Sequence, residues 1–178
     1  MSVGGGSQRF GTARHLAVRF VGSLWPGGPS AADERWARQW CTGGEAGLWA
    51  RMAGPDRRHA VAVARRVEAA GYQDRPVMAA ALLHDVGKIT AGLGTLGRVV
   101  ATVAAMAAGH ERASGWSGGG LGRRAGLYVR HDELGAALLA EAGSDELTVR
   151  WAREHHLPAE RWSVAPDVGQ ALKAADDD

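Results

Sequence analysis

The histidines and aspartates of this chain are placed as metal ligands would be. Of seven histidines, His59, His84, His131, His155 and His156 fall within or near the ends of predicted helices, accompanied by Asp85 and Asp176. Imidazole nitrogen and carboxylate oxygen together suit borderline divalent metals such as iron, manganese or zinc, whereas magnesium or calcium would call for oxygen ligands. The single cysteine, Cys41, excludes thiolate ligation by supply. His84 and Asp85 follow an almost wholly apolar run from Val77. A buried His-Asp pair is costly unless its charge is compensated, and a divalent cation compensates it most economically.

Positioning these groups falls to helices. Ser30 caps a helix predicted over 31–41, with Asp33 and Glu34 in its first turn. A short helix over 45–53 stops at Gly54-Pro55, and Asp56 caps the next, which runs to about Ala70 before Gly71. His59 lies in that helix's first turn and shares its apolar stripe with Val63, Val67 and Ala70. Pro76 opens a helix over 76–86 that is buried on most sides and contains His84-Asp85. A helix of small residues over 93–108 follows, then a Gly-rich loop around 115–122, then a helix over 123–142 with a bend near Arg130. Ser144 caps a helix through Thr148 and Trp151 to His155, and Pro166 starts a last one through Leu172 to Asp176. Helical spacing puts His131 on a face with Gly135 and Leu138, and His155 with Thr148 and Trp151; His156 points about 100° away from His155. No stretch alternates as a strand does, so the predicted class is all-α, a compact multi-helix bundle.

Composition narrows the function. At 178 residues, 46% hydrophobic and 22% charged, the chain suits one globular domain. A net charge of +2 is too small to argue for a stable nucleic-acid complex. The Trp residues read as helix-packing material, and no glycine run has the strand and Gly-Lys-Ser/Thr context of a phosphate loop. One cysteine and no secretory pattern fit the cytoplasm. Arg98 interrupts the longest apolar stretch, so no membrane span is expected. Residues 1–29 read as a flexible N-terminal segment in which 9–25 mixes Arg9, Arg14 and Arg19 with Phe10, Leu16, Phe20 and Trp25. That pattern suits an amphipathic helix that touches a membrane surface or a protein partner, or one packed on its own domain. The breakers Pro26-Gly27-Gly28-Pro29 close it, and the helical domain is expected over 30–178.

The run Leu82-Leu83-His84-Asp85-Val86-Gly87-Lys88, with His59 before it and Ala175-Asp176 far after it, resembles the HD superfamily of metal-dependent phosphohydrolases over residues 56–178. In that family a lone His, a His-Asp pair and a distant Asp hold a metal, here His59, His84, Asp85 and Asp176. Asp176 is chosen over Asp177 and Asp178 because it matches the family's Ala-Asp ending. His131 and His155 look like the extra histidines of the two-metal branches. The resemblance therefore implies two divalent metals per chain, iron or manganese rather than zinc or magnesium, and a small phosphorylated, nucleotide-like substrate cleaved by metal-activated water. Asp85 would bridge or ligate the metals, either Asp85 or a neighbouring His would handle the water's proton, and Lys88, one helical turn past His84, would meet a phosphate as a point charge. Arg58 and Arg130, each beside an implied ligand, and His156 are further candidates for substrate contact; ordinary surface solubility is the plainer role for the arginines. The alternative to an enzyme is an HD-domain regulator that senses a ligand or binds a partner.

Overall fold

A computed structural model describes residues 27–94, 97, 100, 101, 103, 104, 108, 110–117 and 119–178. The segment 9–25, and with it the expected amphipathic helix, lies outside the described residues, as does much of the helix expected over 93–108. Among the described residues every regular element is helical, as the sequence patterning predicts.

Helix α1 (Ala31–Gln39) starts at the Ser30 cap, whose Oγ accepts from Asp33 N at 3.1 Å. Helix α2 (Gly43–Arg51) begins earlier than expected. Thr42 and Glu45 form a reciprocal capping box there: Thr42 N donates to Glu45 Oε2 at 2.7 Å, and Glu45 N to Thr42 Oγ1 at 3.3 Å. Trp49, wholly buried, satisfies its indole by donating to Glu34 Oε2 at 2.7 Å, which ties α2 to α1.

Helix α3 (Gly54–Ala69) admits Pro55 into its first turn, where a missing N–H costs nothing. Asp56 is therefore a first-turn residue and not the cap, and His59 stands in the second turn. Helix α4 (Arg75–Leu83) is buried at every residue from Val77 to Leu83. It ends sooner than the apolar run suggests: His84 is its C-cap, Asp85 leaves helical geometry at φ −95° and ψ 7°, and a 3-10 turn follows over Val86–Thr90. Beyond the short α5 (His110–Ser114), the predicted bend at Arg130 proves to be a break between α6 (Leu121–Val129) and α7 (His131–Glu141). Helix α8 (Glu146–Glu154) is capped by Asp145, not Ser144: Asp145 Oδ1 accepts from Leu147 N at 2.9 Å. A 3-10 turn over Ala159–Arg161 leads into α9 (Pro166–Asp177).

The core gathers around α4, whose alanines at 79–81 let α3, α8, α2 and α9 come close. Val63, Met78, Leu82, Leu139, Trp151 and Leu172 fill the spaces between them. No helix among the described residues is long and apolar enough to cross a membrane.

The 3-10 turn is pressed against α7. A Cβ on Gly87 would stand 1.8 Å from His131 O and 2.6 Å from Gly135 N, while one on Gly135 would stand 3.0 Å from Gly87 N. Two glycines facing each other thus let the turn carrying Asp85 and Lys88 meet the start of the helix carrying His131. Gly87→Ala should cost roughly 3 kcal/mol or more through overpacking, lowering the melting temperature by roughly 6–12 °C for a chain of this size. Gly47→Ala on α2, whose added methyl meets nothing within 4 Å, should instead gain up to about 1 kcal/mol. Equal melting curves for the two variants would contradict the close contact at Gly87.

Candidate metal centre

The donor residues stand mostly at helix ends. His84 is the C-cap of α4, His131 the first residue of α7, His155 the C-cap of α8, and Asp176 lies in the last turn of α9; only His59 comes from inside a helix. At an end the chain can turn a polar side chain inward without breaking an apolar stripe, and the unpaired end carbonyls become acceptors. Three histidines use such carbonyls. His84 Nδ1–H donates to Ala81 O at 3.0 Å, His131 Nδ1–H to Tyr128 O at 2.8 Å, and His155 Nδ1–H to Ala152 O at 3.0 Å. A carbonyl only accepts, so in each neutral ring the proton sits on Nδ1 and the Nε2 lone pair is left for a ligand bond.

Those lone pairs converge. His59, His84 and Asp176 form one group, and Asp85, His131, His155 and His156 a second; within each group one donor atom per residue lies within 4.8 Å of the others. The adjacent His84 and Asp85 join the two. His84 Nε2 is 3.6 Å from Asp85 Oδ2 and 3.7 Å from Asp176 Oδ1, while His59 Nε2 meets Asp176 Oδ1 at 2.8 Å. On the other side Asp85 Oδ1 is 3.4 Å from His131 Nε2 and 3.9 Å from His155 Nε2. Asp85 Oδ1 and His155 Nε2 are both buried without a hydrogen-bond partner. Buried polar atoms are rarely left so, and two acceptors aimed at one space fit a cation there.

The charges agree with that fit. Burial alone would push the Asp85 carboxyl up, but Lys88, His84 and His131 around it hold it well below the carboxylate range. Burial likewise opposes Asp176, and the hydrogen bond from His59 with His84 nearby overrides it downward. Burial drives His155 well below the ordinary imidazole value, with His84 and His156 adding to the effect. Ionised carboxylates at Asp85 and Asp176 and a neutral imidazole at His155 are the protonation states that bind metal. Lys88 lies on Asp85 Oδ2, where the carboxylate raises its pKa against the pull of burial, so Oδ1 is the oxygen left over.

His156 departs from its expected position. The helix ends at His155, so the 100° offset of a continuing helix does not apply, and the ring lies against that of His155 with centroids 3.9 Å apart. Its Nε2 reaches within 3.3 Å of His131 Nε2, although the residue remains exposed on the solvent side. Loss of water around the ring and the neighbouring His131 bring its pKa down to about 4. Arg58 and Arg130 flank His59 and His131 in the chain, and both are half-buried.

Several positioning groups have little or no sequence signal. Glu154 accepts from both Ser163 N and Ser163 Oγ at 2.6 Å, which closes the loop that follows His155 and His156. Trp162 packs edge-on to Trp151 and donates to Leu157 O at 3.0 Å across the same loop. Arg66 Nη1 donates to Ala175 O at 3.1 Å, anchoring α9 beside Asp176. Tyr128 stacks on His131 at 24° with centroids 5.7 Å apart. Of these, the sequence marked only the Trp residues, as helix-packing material.

The HD domain family matches residues 56–177. No curated protein and no solved structure matches the chain.

Two outcomes follow from this geometry. His155 and His156 take up protons near pH 6.5 when unfolded but only at lower pH when native, His156 at about 4. Over that window the unfolded chain binds more protons, so the stability of the metal-free protein should fall as pH drops from about 6.5 to 4. Thermal melts at stepped pH should show this, and His156→Asn should flatten the dependence; an unchanged slope would refute the assignment. Separately, Glu154→Ala removes both bonds that the buried carboxylate makes to Ser163 and should cost about 2–3 kcal/mol in denaturant unfolding, whereas Ser163→Ala should cost less because its backbone N–H remains.

Proposed function

This chain belongs to the HD domain family, and on that footing we propose that it is a metal-dependent phosphohydrolase cleaving a phosphoester or phosphoanhydride bond of a nucleotide or related small metabolite. The observation that carries the reading is the pair of donor groups meeting at His84-Asp85, with Asp85 Oδ1 and His155 Nε2 buried and unsatisfied between them. HD domains are metal-binding, and both groups can hold a divalent ion.

The reading takes two ions per chain, iron or manganese, one with His59, His84 and Asp176, the other with His131 and His155, and Asp85 between them. Ions bound there would lower the pKa of a water and hold phosphate oxygens. The chain's own residues do the rest. Asp85 or a neighbouring histidine takes the proton released by the attacking water. Lys88, kept as an ammonium by Asp85, offers a point charge that a phosphate oxygen can share. His156, neutral at pH 7 and open to solvent, faces the incoming substrate from beside His131. Arg58 and Arg130 are the further cations proposed for phosphate contact.

Elemental analysis of anaerobically purified protein tests this directly. About two iron or manganese ions per chain are expected, with His84→Ala losing both and His131→Ala about half. Phosphate release from a nucleotide panel should fall at least about a hundredfold in Asp85→Asn. No bound metal after reconstitution, or normal turnover by Asp85→Asn, would overturn the proposal.

A further inference from the structure

Tyr128, on the last turn of α6, is fixed beside the metal centre at several points. Its carbonyl accepts from His131 Nδ1 at 2.8 Å, and its ring stacks on the His131 ring at 24° with centroids 5.7 Å apart. The ring also packs on a second apolar cluster, whose Ala91 caps the 3-10 turn that carries Lys88, and α6 itself lies against that turn. These contacts leave out the hydroxyl. Among the described residues it makes no hydrogen bond, and the residue is only half-buried. A phenol with a fixed ring and an unpaired O–H can serve an acceptor from outside the chain.

Lys88 indicates which acceptor fits. Burial pulls its pKa down, but Asp85 holds it up, helped by the Tyr128 oxygen and then by Asp56, so both of these stand near the ammonium. Of the three neighbours, the two carboxylates accept hydrogen bonds and repel an anion, whereas the phenol donates. The 3-10 turn and α6 thus each bring a donor, Lys88 and Tyr128, to the side of the centre where His131 stands. We propose that the Tyr128 hydroxyl binds the substrate's phosphate, donating to a phosphoryl oxygen beside the one that Lys88 Nζ meets. The inference rests on the phosphohydrolase reading and adds to it a substrate contact from α6. A charged phosphate oxygen is a stronger acceptor than water, and a ring already held by His131 loses little freedom when its hydroxyl is engaged.

The test uses the full-length, metal-reconstituted protein and inorganic phosphate, with affinity read by isothermal titration. Tyr128→Phe keeps the ring on His131 and the carbonyl on Nδ1, so its metal content should equal the parent's while phosphate binds about tenfold more weakly. The chain has two tyrosines, Tyr72 and Tyr128, which allows a second measurement on the parent protein: nitration by tetranitromethane, mapped by peptide mass spectrometry. Saturating phosphate should slow nitration of Tyr128 severalfold and leave Tyr72, beyond the end of α3, unchanged. Parent-like phosphate affinity in Tyr128→Phe, or a Tyr128 that phosphate does not protect or that the reagent never reaches, would overturn the contact. Loss of metal from Tyr128→Phe would overturn it too, by assigning the side chain to His131 and not to phosphate. A parent protein that keeps its metals yet neither binds phosphate nor hydrolyses any nucleotide would instead overturn the phosphohydrolase reading.

Discussion

A carboxylate buried to 4% exposure among imidazoles is the constraint around which this molecule is arranged. Asp85 cannot be left ionised in the interior without compensation, and it cannot be protonated while Lys88, His84 and His131 surround it. Lys88 satisfies one of its oxygens; the other, like His155 Nε2, is buried without a hydrogen-bond partner. The adjoining structure serves to hold this arrangement. Helix α4 must stop at Leu83 so that Asp85 can leave the helical path, the following turn must press on α7, and that contact is open only to glycine at position 87.

The centre is a meeting of helix ends. A helix end has free carbonyls, and three of them orient histidine rings so that Nε2 points inward. The ends come from α4, α7, α8 and α9, with His59 reaching in from α3, and the His59–Asp176 contact spans 117 residues of chain. No single helix holds enough donors for a site. The apolar core around α4 therefore has a chemical consequence: packing Val63, Leu82, Leu139, Trp151 and Leu172 together sets the distances between donors that are far apart in sequence.

The two sides of the centre differ in surroundings. The side of His59, His84 and Asp176 is backed by the main core and anchored by Arg66 on Ala175 O. The side of His131 and His156 opens toward solvent and, through Tyr128, leans on the smaller apolar cluster.

Much of this was legible in the sequence. The absence of strand alternation gave the all-α class, and the HD domain match over 56–177 agrees with the resemblance carried by the His-Asp-Val-Gly-Lys run. Helix caps were legible where a single residue dominates, as at Ser30, and misread where a neighbour competes, as at Asp56 behind Pro55 and at Ser144 before Asp145. Among the described residues the sequence had singled out the histidines and aspartates that come together, with His156 as a substrate contact and not a ligand, because such residues following apolar stripes are unusual. It could not divide those donors into two groups, give Lys88 to one oxygen of Asp85, or turn His156 toward His131. Helical periodicity is a local rule that ends where a helix ends, and these relations lie just past the ends, where only the packing of distant helices decides which atoms meet.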